Sequence, residues 1–158
     1  MGAETKSSGF ACSVRRFSSR DANAVTGIFR ESPQAGIWAP EGYGRTPHWA
    51  GPLALVSEFA GEVTGYLLGR EVLDEAEVLH LAVRSKFRRQ GHGKALVSSA
   101  LAGMRSRGIQ RVFLEVRDSN VAAIALYEGL GFFKIGQRAD YYRDPVEAAV
   151  LMEKKLGD

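Results

Sequence analysis

The segment Arg88-Arg89-Gln90-Gly91-His92-Gly93-Lys94 stands between an apolar run, Val78 to Val83, and a helical pattern that opens near Lys94. A strand, a glycine-bearing turn and a helix start in succession dictate how three elements meet. The turn also carries charge: Arg84, Lys86, Arg88, Arg89 and Lys94 follow one another with no acidic residue among them. Backbone N–H groups at a helix start have no partner within the helix, and the macrodipole adds partial positive charge there. Glycines let successive amides converge on one oxygen-rich group. The natural guest is a phosphate, in the first place the pyrophosphate of a cofactor.

The rest of the chain narrows the class of protein. Its 158 residues fit a single domain with a proper core. A formal net charge of +3 is too small to argue for nucleic acid, so the basic turn reads as a local anion site. The single cysteine, Cys12, excludes an internal disulfide and a multi-cysteine zinc site and suits a reducing cytoplasm. No apolar run approaches the roughly 18 residues of a membrane span. Residues 1–9 are small and polar and read as a flexible leader, with one domain over 10–158.

Periodicity places the elements. Ala11 to Phe17 reads as a strand, and Ser19 is expected to cap a helix carrying Ala22, Val25, Ile28 and Phe29. Residues 32–52 hold Pro33, Pro40, Pro47 and Pro52 and read as a long irregular connection whose Trp38, Tyr43, His48 and Trp49 either line a substrate mouth or pin the loop to the core. Strands are expected at Leu53–Phe59, Glu62–Val72 and Ala76–Val83, then a helix ending at Gly108 and a strand at Arg111–Arg117. Ser119 is expected to cap a helix over Asn120–Leu130. Phe132–Ile135 and Ala148–Lys154 then close the fold as an antiparallel pair joined across a Tyr141-Tyr142 loop. The order describes an α/β (α+β) protein with a mixed, mostly antiparallel central sheet and helices on both faces.

The basic turn is not a nucleotide-triphosphate loop, because the first glycine of GxxxxGK[ST] is missing and Lys94 is followed by Ala95. It is not a GxGxxG dinucleotide turn either, since no third glycine stands at position 96. Glu115 is the second chemical feature, a carboxylate within the apolar strand Val112-Phe113-Leu114-Glu115-Val116. Such a group is costly to bury unless it is paired or used. It reads either as an ion-pair partner of Arg117 or a sheet-surface residue, or as a general base. Tyr127, on the helix that follows, reads either as a core tyrosine or as a proton donor.

Four pieces together resemble the GNAT N-acetyltransferase superfamily. They are Leu81-Ala82-Val83, Arg88 to Lys94, Leu114-Glu115-Val116-Arg117, and Asn120-Val121-Ala122-Ala123-Ile124-Ala125-Leu126-Tyr127-Glu128-Gly129-Leu130-Gly131-Phe132. They are most similar to its RimI branch, the ribosomal-protein-alanine N-acetyltransferases, over about Asp74 to Tyr142. The resemblance implies acetyl-CoA as cosubstrate and no metal. It places the pyrophosphate on Arg88, Arg89, Gln90, Gly91, His92, Gly93 and Lys94, the pantetheine arm along Leu81, Ala82 and Val83, and a further contact on Asn120. It implies Glu115 as base and Tyr127 as acid. Asp140, Tyr141 and Tyr142 resemble the segment that carries paired tyrosines in the family, and with Trp38 they are the candidate acceptor-binding residues. The chain departs from the pattern at His92, where an aliphatic residue is common, at Asp140 in place of asparagine and at Arg143 in place of proline. As a lone histidine, His92 is expected to be a partly exposed turn residue.

The chemistry so implied is direct attack of an amine on an acetyl thioester, with expulsion of the CoA thiolate. The expected acceptor is the N-terminal alanine of a small-subunit ribosomal protein in the cytoplasm, without direct nucleic-acid or membrane binding. Other protein N-termini, lysine or a small-molecule amine remain alternatives, as does a non-catalytic CoA- or nucleotide-binding module. A pure binder, however, needs neither Glu115 nor Tyr127.

Overall fold

The structure is a computed structural model that describes residues 12–32 and 51–157. The leader, Trp38 and the other aromatic residues of the proline-rich connection lie outside the described residues. Seven strands form one sheet: β1 (Ser13–Arg16), β2 (Ala54–Phe59), β3 (Glu62–Val72), β4 (Glu75–Val83), β5 (Arg111–Arg117), β6 (Phe133–Tyr142) and β7 (Glu147–Lys155). Their spatial order is β1-β2-β3-β4-β5-β7-β6. All neighbours are antiparallel except β4 and β5, which are parallel and joined through helix α2 (His92–Ser106). Helix α1 (Ala22–Arg30) precedes β2, and α3 (Val121–Gly129) follows β5.

The two periodicities of the chain build a core on each face. Alternate residues of β5, Val112, Leu114 and Val116, face α2, which returns Leu96, Val97, Ala100, Leu101 and Met104. Burying each of the larger side chains contributes about 1.5–3 kcal/mol. On the opposite face Val25 and Ile28 of α1 pack on Val56, Tyr66, Leu68 and Ala82.

Three local expectations need correction. Ser18, not Ser19, opens the first helical segment: the Asp21 carboxylate accepts its N–H at 2.8 Å and is held by Arg15 through two bonds of 2.8 Å. Asn120, not Ser119, caps α3, its side-chain oxygen accepting the Ala123 N–H at 3.2 Å. β6 continues well past Ile135, so Tyr141 and Tyr142 end a strand and do not lie in a loop. Its length was hidden because it is a largely exposed edge strand with two register shifts and a left-handed Asp140 (φ 53°), which together erase alternation.

His80 lies under α1, 1% exposed, beside the rings of Phe29 and Tyr66. Burial pulls its pKa down to about 4. The unfolded chain, with an imidazole near 6.5, therefore binds a proton that the folded chain does not. Stability present above pH 6.5 is lost as pH falls toward 4, by about 2 kcal/mol between pH 6.5 and 5. Urea unfolding at pH 7 and pH 5 is expected to show that loss, and His80→Phe is expected to remove most of it.

Candidate active site

The parallel pair β4–β5 is short. It runs from Glu75↔Arg111 to Val78↔Leu114 and stops, although both strands continue, to Val83 and Arg117. A β-bulge marks the point where they part: β3 pairs Gly69 with Val78 and Leu68 with His80, leaving Leu79 as the extra residue. Beyond it, the β4 edge that faces β5 offers backbone groups without a strand partner.

A groove of about 670 Å³ opens at this parting. Ten of the eleven residues expected at the cofactor line it: Leu81, Ala82, Val83, Arg88, Arg89, Gly91, His92, Gly93, Lys94 and Asn120. Gln90 does not, and its amide donates instead to the Lys86 carbonyl at 3.0 Å. Gly91 caps α2 in a left-handed conformation (φ 86°), which brings the first turn of the helix to the groove wall.

The five cations of the turn divide by task. Arg84 and Lys86 are paired with Glu31 and Glu62. Arg88 braces the turn, donating to the Val83 and Glu31 carbonyls and to Ser32 Oγ. Arg89 and Lys94 line the groove with no carboxylate partner among the described residues.

His92 is not a partly exposed turn residue. It is 1% exposed, and its Nδ1 lies 2.7 Å from Thr64 Oγ1, which lies 2.8 Å from Ser57 Oγ. Phe87 and Phe59 cover the ring at 5.3 and 6.3 Å between centroids. Burial lowers its pKa, which keeps the imidazole neutral near pH 7. A histidine can replace an aliphatic residue here because Thr64 and Ser57 are polar partners waiting beneath it. Their places in separate strands gave no sequence signal.

Glu115 projects from the other face of β5 into a second pocket of about 380 Å³. Its partner is Arg138 of β6, Nε to Oε1 at 3.3 Å, not Arg117, which pairs with Glu147. Burial, and after it the nearby Glu115 carboxylate, raise the pKa of the Tyr141 phenol. Tyr142 lies under the Arg117 guanidinium at 4.4 Å and is pushed up to about 12 by burial and by Glu115. Tyr127 is 5% exposed, edge-on to Phe132, and burial followed by proximity to Tyr142 raises its pKa well above the usual phenol value. It lines neither cavity. Tyr142 is thus the side chain whose phenol senses both Glu115 and Tyr127. Asp140 is exposed on the same strand. Sequence reasoning missed Arg138 because nothing along the chain links it to a residue more than twenty positions earlier.

Among the described residues, a glycine-capped helix start, Arg89 and Lys94, and a parted parallel pair thus frame one groove. The chain belongs to the Acetyltransferase (GNAT) family, whose model matches residues 22–132. It is 42% identical over 94 residues to the [ribosomal protein bS18]-alanine N-acetyltransferase of Escherichia coli K12, a match covering 58% of this chain and 64% of that protein's length. The chain therefore spans somewhat less than two thirds of that relative. The crystal structure of the ribosomal-protein-S18-alanine N-acetyltransferase from Escherichia coli superposes with a TM-score of 0.81 at 28% identity, covering 94% of this chain and 96% of the other. The structure of yncA from Salmonella typhimurium with its cofactor acetyl-CoA shares the fold, with a TM-score of 0.80 at 22% identity over 94% of this chain and 95% of that one.

At Gly91 no neighbouring atom lies within 4 Å of an added Cβ, so only the backbone conformation resists a side chain. Gly91→Ala is expected to cost about 1–2 kcal/mol in chemical denaturation from the left-handed conformation alone.

Proposed function

We propose that this chain transfers acetyl from acetyl-CoA to the N-terminal α-amine of a protein, in the first place the N-terminal alanine of a small-subunit ribosomal protein in the cytoplasm. The observation that carries the reading is the parting of β4 and β5. A cation-lined groove lies along it on one face, and Glu115 faces a separate pocket on the other. The name of the Escherichia coli relative supports the choice of acceptor.

The groove fits acetyl-CoA on three observations. The free β4 edge at Leu81–Val83 matches the amide-bearing pantetheine arm, the first turn of α2 with Arg89 and Lys94 matches the pyrophosphate, and Asn120 stands beside both on the groove wall. When bound, acetyl-CoA supplies an activated acetyl thioester. The remaining work falls to the chain's own groups. An α-amine with a pKa of about 7.7–8.0 is partly neutral near pH 7, whereas a lysine near 10.4 is almost wholly protonated. Glu115 accepts the proton that the amine gives up, with Arg138 holding its carboxylate in place. Burial keeps Tyr127 protonated; it lines neither cavity, and its assignment as proton donor to the leaving thiolate rests on the family resemblance. Tyr141 and Tyr142, at the end of β6, lie near enough to Glu115 for its charge to raise both phenols.

The reading is tested with acetyl-CoA and short peptides that differ only in their first residue. Alanine-starting peptides are expected to be acetylated at the α-amine, as read by mass spectrometry, and Glu115→Gln is expected to lower turnover about 10²-fold. That loss should grow as pH falls from 9 to 7, where more of the amine is protonated. Acetylation confined to lysine side chains or small amines would overturn the acceptor assignment. Tyr127→Phe is expected to lower kcat about 10²-fold while the acetyl-CoA Kd, measured calorimetrically, stays within twofold. Normal turnover in that variant would remove Tyr127 as the acid.

A further inference from the structure

The pocket into which Glu115 points does not end at the carboxylate. It runs along β4 and β5 toward their starts, on the face away from α2, past Glu77 and Phe113 to Glu75. Two apolar side chains stand at its rims without packing to explain them, Val72 at 62% exposure and Ile135 at 46%. We propose that this groove binds the acceptor residues that follow the N-terminal one, and that it selects a basic side chain near the second or third position with an apolar one beside it. This deepens the reading of Glu115 as the base that meets the acceptor amine and rests on it.

Continuity and charge both favour a peptide as the occupant. Glu77 pairs in register with Phe113, two residues before Glu115, and Glu75 with Arg111, four residues before it. At about 3.3 Å per residue these carboxylates lie about 7 and 13 Å along the sheet from Glu115. An extended chain has the same rise. An acceptor whose amine sits at Glu115 therefore carries its second or third residue to Glu77 and its fourth or fifth to Glu75.

The groove's carboxylates are the less exposed members of their ion pairs. The Glu115 and Glu77 side chains are 21% and 32% exposed, against 57% and 59% for Arg138 and Arg70. The acids form the floor and the arginines the rim. Exposed pairs of this kind contribute only about 0–1 kcal/mol, so a cationic acceptor side chain exchanges for Arg70 at little cost. Val72 and Ile135 then gain the apolar cover they lack, against a side chain seated on Phe113.

The test uses octapeptides that share a first alanine and carry lysine, serine or glutamate at positions two and three, with leucine or serine at position four. Steady-state acetylation is compared for the wild type, Glu77→Lys and Ile135→Asp. The wild type should show a KM about tenfold lower for lysine than for glutamate peptides, and Glu77→Lys should reverse that order. A misfolded variant would instead weaken all peptides in parallel. Ile135→Asp should raise KM for leucine peptides and leave serine peptides nearly unchanged. Fluorescence anisotropy of labelled peptides on CoA-loaded enzyme should rank them identically, without depending on turnover. Peptides acetylated with no charge preference, or a parallel loss in Glu77→Lys, would overturn the groove assignment while leaving the proposed activity intact. If no peptide is bound or acetylated while a small amine is, the proposed activity falls and the groove falls with it. A dimer that Ile135→Asp dissociates would give this face to a second copy and equally overturn the proposal.

Discussion

Everything at the site depends on one place where hydrogen bonding stops. β4 and β5 pair over four residues, then part at the Leu79 bulge. A parallel pair that stayed zipped to its ends would close the sheet there and leave Glu115 on a surface with nothing behind it. Because the strands diverge, the interior of the sheet is open to ligands from both faces. Beyond Val78 the β4 edge has no strand partner on the β5 side, and that leaves backbone groups there for other partners, as the Arg88 bond to the Val83 carbonyl shows.

The turn that follows β4 shows how a dense cluster of like charge is tolerated. Its repulsion is relieved because Arg84 and Lys86 are matched by Glu31 and Glu62, and because Arg88 spends its donors on backbone and Ser32. Only part of the charge visible along the chain is thus available to a ligand. The neutral, buried His92 adds none, and the Ser57–Thr64–His92 chain ties the helix start to β2 and β3. That tie makes the first turn of α2 a fixed wall of the groove.

What was legible in the sequence follows from how local each signal is. The strand, turn and helix around Arg88–Lys94 were readable because propensity, charge and glycine spacing all lie within a dozen residues. Leu81–Val83, Gly91, Gly93, Lys94 and Asn120 consequently line one groove, and Glu115 and Tyr127 lie on opposite sides of β5. The partners were not legible. Arg138 reaches Glu115 across β7, and Thr64 reaches His92 from a strand 28 residues earlier. The extent of β6 was also hidden, since an exposed edge strand has no buried face to impose alternation. Tertiary proximity, which leaves no trace in spacing, decided each of these.

The order of the strands has a consequence in time. β7, which is made after both β5 and β6, lies between them in the sheet. The groove is lined by residues no later than Leu126, whereas the Glu115–Arg138 pair forms only once β7, which ends at Lys155, has been inserted between β5 and β6. During folding the carboxylate therefore acquires its partner only with that insertion.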